Sequence, residues 1–119
     1  MQYKVHQITL TEAEIDLINE KGHDAVHKQS LKLDMGLRKN DTAAVSADAM
    51  RRGYYTHVAN IEADSLEEVF HIGNVGPESA YTRFKPMHSV SVGDVVESED
   101  AFHVVASFGF EQLTLQIRG

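Results

Sequence analysis

Seven histidines, eighteen carboxylates and no cysteine define the chemistry open to this chain. Without a thiol there is no disulfide framework, no thiolate metal site and no cysteine nucleophile. His23 and His27 stand four residues apart, a spacing that on a helix puts both imidazoles on one face, with Asp24 nearby as a third metal ligand. Gly22, just before them, reads as a helix end, and no His-Glu-x-x-His string occurs. The pattern therefore predicts solvated loop histidines and no metal. His57, His71, His88 and His103 fall on separate elements, none with an acid and a nucleophile in a recognisable order.

The phosphate and acid/base patterns are incomplete too. Gly73-Asn74-Val75-Gly76-Pro77 has neither a third glycine nor a Gly-Lys-Ser/Thr ending. It also follows a helix, where a phosphate loop should follow a strand. A helix cap running into a turn accounts for it. Glu67/Glu68 and Glu99/Asp100 are sequence neighbours, whose side chains diverge in a helix or turn and make poor acid/base pairs. The residues predict no catalytic set and no cofactor.

Recognition is better represented. Tyr and Arg anchor interfaces because they combine large contact area with a polar handle. Tyr54, Tyr55 and Tyr81, with Arg51, Arg52, Arg83, Lys85 and His88, sit at element ends and not within apolar stripes. They form the candidate partner-binding set, centred on the loop 74–88. The competing reading is a small enzyme or nucleotide-binding domain in which Arg83, Lys85 and His88 hold a ligand and Tyr81 stacks on a base.

The elements that must position these residues alternate. Tyr3, Val5 and Ile8 mark a first strand. Thr11 and Glu14 form a capping box, Leu10 and Ile15 a hydrophobic staple, and Ile15, Leu17 and Ile18 the buried stripe of a helix ending at Gly22. Residues 30–38 alternate with period two. That predicts a strand burying Leu31, Leu33, Met35 and Leu37 and exposing Lys32 and Arg38. Asn40 and Asp41 make a turn and cap before a helix from Ala43 to Arg52, closed by Gly53.

Residues 54–63 read as a strand, with Tyr55, His57, Ala59 and Ile61 on one face and Thr56, Val58, Asn60 and Glu62 on the other. Ser65 and Glu68 form a second capping box for a helix with Leu66, Val69 and Phe70 inward and Gly73 as its stop. After the loop 74–86, residues 89–106 form a hairpin with Glu99 and Asp100 at its apex. Gly93 kinks it, and Asp94 caps nearby N–H groups. Phe108, Gly109 and Phe110 turn the chain into a last strand carrying Leu113, Leu115 and Ile117, and Phe70 and Phe102 are expected in the core. The order β-α-β-α-β-α-β-β-β predicts one α+β domain over residues 1–119, its mixed sheet ending in an antiparallel meander, with helices mainly on one face.

Net charge is −7, distributed as −3 over residues 1–20, +3 over 21–52 and −7 over 53–119. Such a chain repels nucleic acid, so direct nucleic-acid binding is not expected. No apolar run reaches the ~18 residues of a membrane span, and no signal-peptide pattern opens the sequence.

Ser89-Val90-Ser91-Val92-Gly93-Asp94-Val95-Val96, a short turn, and an extended stretch closing on Phe108-Gly109-Phe110-Glu111-Gln112-Leu113 resemble the YodL-like domains of phages and other mobile elements. The stretch from Tyr55 to Phe70 is similar to the strand and helix preceding that hairpin, so the resemblance spans residues 54–113. It implies a phage or mobile-element origin and a bacterial host cytoplasm, and it carries no established activity. The expectation is a non-enzymatic binding or accessory protein with a protein partner, a homodimer and a virion accessory role being alternatives.

Overall fold

In a computed structural model the chain is described over residues 1–35, 41–99, 101–106 and 109–113. Strand β1 (Gln2–Ile8) leads through Thr11 into α1 (Glu12–Lys21). The Thr11 hydroxyl accepts from the Glu14 N–H at 3.1 Å and the Glu14 carboxylate accepts from the Thr11 N–H at 2.9 Å, the reciprocal box expected. The stripe of α1 is not buried. Ile15 is 43% exposed and Leu17 and Ile18 are half-buried, because α1 packs chiefly on the 3₁₀ turn His23–Ala25 and not on the sheet.

Residues 30–35 are helical, not extended. Helix α2 (His27–Leu33) continues helically through Asp34 to Met35, so the strand expected over 30–38 is not formed there; its residues 36–38 lie outside the described residues. The alternation Leu31, Leu33, Met35 also contains an i,i+4 pair, and that pair is what packs: Met35 is fully buried and Leu31 nearly so, while Leu33 and Lys32 are half-buried. Gln29, Leu31, Lys32, Leu33 and Met35 are all straight-chain or γ-branched helix formers, with no β-branched residue to hold a strand.

Asp41 caps α3 (Thr42–Arg51) by accepting from the Ala44 N–H at 3.2 Å. Strand β2 (Tyr55–Glu62) then pairs with β1, and the register shifts between Val5 and His6, leaving Val58 as an extra residue. The shift breaks the simple alternation: Val58 and Ala59 are both fully buried, and His57 joins Asn60 through a 2.8 Å side-chain bond.

Helix α4 (Leu66–Val75) is capped by Ser65, while the Glu68 carboxylate reaches the Asp64 N–H in place of that of Ser65. Its inward face is Val69, Ile72 and Gly73; Phe70 points out at 40% exposure, against expectation. Gly73 does not end the helix, which stops at Gly76. A Cβ on Gly73 would sit 2.2 Å from a Val90 methyl, so this glycine is a contact surface for the 89–94 segment. A 3₁₀ turn (Glu78–Ala80) and the short strand β3 (Tyr81–Arg83) occupy part of the expected loop. The hairpin follows as β4 (Val95–Glu97) and β5 (Phe102–Val105), then β6 (Phe110–Leu113). Gly93 at φ 95° supplies the bend. Asp100, Phe108, Leu115 and Ile117 lie outside the described residues.

The strands form one sheet in the order β3-β2-β1-β4-β5-β6. The α+β class and the C-terminal meander stand. Every pairing is antiparallel, so the sheet is not mixed. Adjacent residues of a strand face opposite ways, and Val95 and Val104 pack in one cluster while Val96 and Val105 pack in another. Helix α4 covers the face of Tyr3, Val5, Ile61 and Val96. Helices α2 and α3 cover the face of Ile8, Val95 and Val104, so the helices lie on both faces and not mainly on one.

Candidate functional site

The end of β1 brings Gln7 inward in phase with Tyr3 and Val5, where it is fully buried. An amide buried there needs partners, and the segment after Met87 supplies them. The Gln7 Nε2 donates to the His88 carbonyl at 2.9 Å and to Asp94 Oδ2 at 3.0 Å, and its Oε1 accepts from the His88 N–H at 3.2 Å. Asp94 Oδ2 also accepts from the Ser91 N–H at 2.9 Å, the local cap the sequence predicts. One side chain of β1 thus fixes residues 88–94 against the sheet.

His88 Nδ1 lies 2.8 Å from the Ser89 carbonyl, which can only accept, and 3.2 Å from the Gln7 Nε2. Nδ1 is 3.9 Å from Asp94 Oδ2. Burial pushes the Asp94 carboxyl up to about 6, opposed by the Ser91 N–H, by the neighbouring His88, by the Gln7 amide and by Lys32.

Two clefts open on either side of Met87 and His88. The first, about 390 Å³, is walled by the end of α4, Gly76-Pro77-Glu78, Tyr81 and Arg83. Its polar groups are committed. Arg83 grips the Glu78 carboxylate with two nitrogens and lies 4.4 Å over the Tyr81 ring, while the Tyr81 hydroxyl donates to the Ile72 carbonyl at 2.7 Å. The second, about 570 Å³, has an apolar floor of Ile8, Leu10, Ile15, Pro86 and Met87, with Lys32 and Lys85 at its rim.

The eight residues expected at one surface are divided. Tyr81, Arg83 and His88 line the first cleft; Lys85 and His88 line the second. Arg51 and Arg52 end α3, each paired with Asp48 at 4.0 and 3.0 Å, and the Tyr54 hydroxyl bonds His27 Nδ1 at 2.9 Å. Tyr55 is an interior residue: its hydroxyl bonds Ser46 and the Gly93 carbonyl, and burial pushes its pKa above the usual phenol range. His23 bonds Gln29 and His27 bonds Tyr54.

Gln7, Lys32 and Ile15 were not legible as site residues. The one sequence signal was Gln7, a polar residue on the inward phase of an apolar strand. Among the described residues no helix is long and apolar enough to cross a membrane. No family model, curated protein or solved structure matches the chain.

Proposed function

We propose that this is a non-enzymatic binding protein of phage or mobile-element origin that acts in the bacterial cytoplasm on a protein partner, through the surface built by residues 74–88. The observation that carries this reading is the pair of clefts sharing Met87 and His88 as a wall. A rigid wall with a cleft on each side offers pockets for a partner's side chains, and the Gln7 bonds hold it without any ligand.

The enzyme reading has less support. The His88 Nδ1 faces the Gln7 amide and the Ser89 carbonyl, not a hydroxyl that it could activate. The arginine of the first cleft is already engaged by Glu78.

The test is affinity capture from bacterial lysate at low salt, with wild-type chain beside the Arg83→Ala/Lys85→Ala double variant. The expected result is a partner recovered by wild type and lost or depleted with the variant, both proteins melting alike. Equal recovery by both places the contact surface elsewhere and defeats the proposal.

A further inference from the structure

We infer that the second cleft receives an acidic peptide segment of the partner, one apolar side chain entering between Ile15 and Met87 with carboxylates reaching Lys32 and Lys85; this rests on the binding role proposed above. Three observations converge on it.

The first is the floor. Ile8, Leu10, Ile15, Pro86 and Met87 line a cleft of about 570 Å³, within the ~300–1,000 Å³ typical of ligand sites. Ile15 remains 43% exposed at its lip, although it lies in the first turns of a well-capped helix. The second is the rim. Among the described residues Lys28, Arg51, Arg52 and Arg83 each pair with a carboxylate within 4.0 Å. Lys4, Lys21, Lys32 and Lys85 have no such ion pair among the described residues; of these Lys32 and Lys85 line this one cleft, Lys32 also acting at longer range on Asp94. The third is contrast. In a chain of net charge −7, two ammonium groups without an ion pair within 4.0 Å, beside apolar side chains, are complementary to carboxylates flanking an apolar side chain.

The chemistry selects a peptide. The cleft is open to solvent and the Ile15 side chain in its lining is 43% exposed, which suits a side chain projecting from an extended backbone. A fatty chain would need enclosure over most of its surface. A nucleic acid would need a longer row of cations than two lysines.

The experiment is a titration of isotope-labelled full-length chain, followed by amide shifts, with the probe acetyl-Glu-Glu-Leu-Glu-Glu-amide. The comparison probes are its glutamine analogue, its lysine analogue and octanoate. Shifts are expected at Ile15, Lys32, Lys85 and Met87, with affinity for the glutamate probe about tenfold or more above that for the glutamine analogue. Lys32→Glu/Lys85→Glu should abolish the response, and the single change Lys85→Gln should weaken it if the double variant melts early. Lys21→Ala should leave it intact, because Lys21 lines neither cleft. Binding that ignores peptide charge, shifts confined to other residues, or a response to octanoate without one to the peptide overturns the inference. No peptide binding overturns it as well, while the lysate capture with Arg83→Ala/Lys85→Ala decides the binding role separately.

Discussion

Met87 and His88 stand between two clefts, and the chain treats the cations of the two sides differently. On one side Arg83 is gripped by Glu78 and stacked on Tyr81, whose hydroxyl is tied to the end of α4. On the other, Lys32 and Lys85 line a largely apolar cleft with no ion pair within 4.0 Å among the described residues, Lys32 acting on Asp94 only at longer range. A committed cation organises its own chain, and an uncommitted one is available to another molecule. Interface composition alone ranks Arg83 and Tyr81 above the two lysines, yet intramolecular pairing has already used the former.

The sharpest way to break the comparison is to disturb one cleft and leave the other. Gly73→Ala should do so. Its Cβ would overlap Val90, so the cost should reach or exceed the ~1–3 kcal/mol usual for overpacking. The first cleft should be deformed, with the amide shifts of Ile15 and Lys85 little changed; urea denaturation and an amide spectrum check both parts.

The wall itself is tested through Asp94. Its pKa is raised from 3.8 to about 6 by burial, so the fold favours the protonated form. That contribution is fully present below about pH 4 and is lost as pH rises through about 6. Asp94→Asn should therefore gain about 1–2 kcal/mol at pH 7 relative to wild type, the advantage shrinking toward pH 4. His6 acts in the opposite sense. Burial lowers its pKa against the pull of Glu97, so its contribution is present above about 6.5 and is lost as pH falls through the lowered value. In wild type the two slopes oppose each other between pH 6.5 and 4, and in Asp94→Asn the His6 decline should stand alone. Denaturation at pH 7, 6 and 5 reads this directly; parallel curves for the two proteins would refute it.

Smaller effects locate residues that surface reasoning misplaced. Tyr55→Phe should cost about 1 kcal/mol by removing a hydroxyl bonded to Ser46 and Gly93, and it should not change partner capture. Phe70→Ala should cost less than about 1 kcal/mol, because the ring is 40% exposed and leaves little cavity. A loss of 3 kcal/mol or more there would mean that Phe70 is packed. Arg83→Ala should be the mildest, leaving the denaturation midpoint close to that of wild type, as expected of an exposed pair.

What could be read from the sequence was local. The Thr11–Glu14 box, the Asp41 and Ser65 caps and the Asp94 turn each involve side chains within four residues of the backbone they satisfy. Such bonds form in nearly any tertiary setting, so residue type and spacing determine them. The α+β class follows from the same local signals in order.

Everything that builds the site is long-range. Gln7 reaches His88 and Asp94 across more than 80 residues, and Ile8, Ile15, Lys32 and Lys85 meet only once β1, α1, α2 and the 85–88 segment are assembled. The period-two run at 30–35 shows the limit from the other side. Leu31, Leu33 and Met35 fit a strand by alternation and a helix by the i,i+4 pair, and only the packing of Leu31 and Met35 against Ile8 and Ala49 decides between them. Burial energy is indifferent to which backbone presents the apolar atoms. The sequence therefore determined where polar groups cap the backbone, and the tertiary structure decided which apolar atoms share a core and which cations remain unpaired.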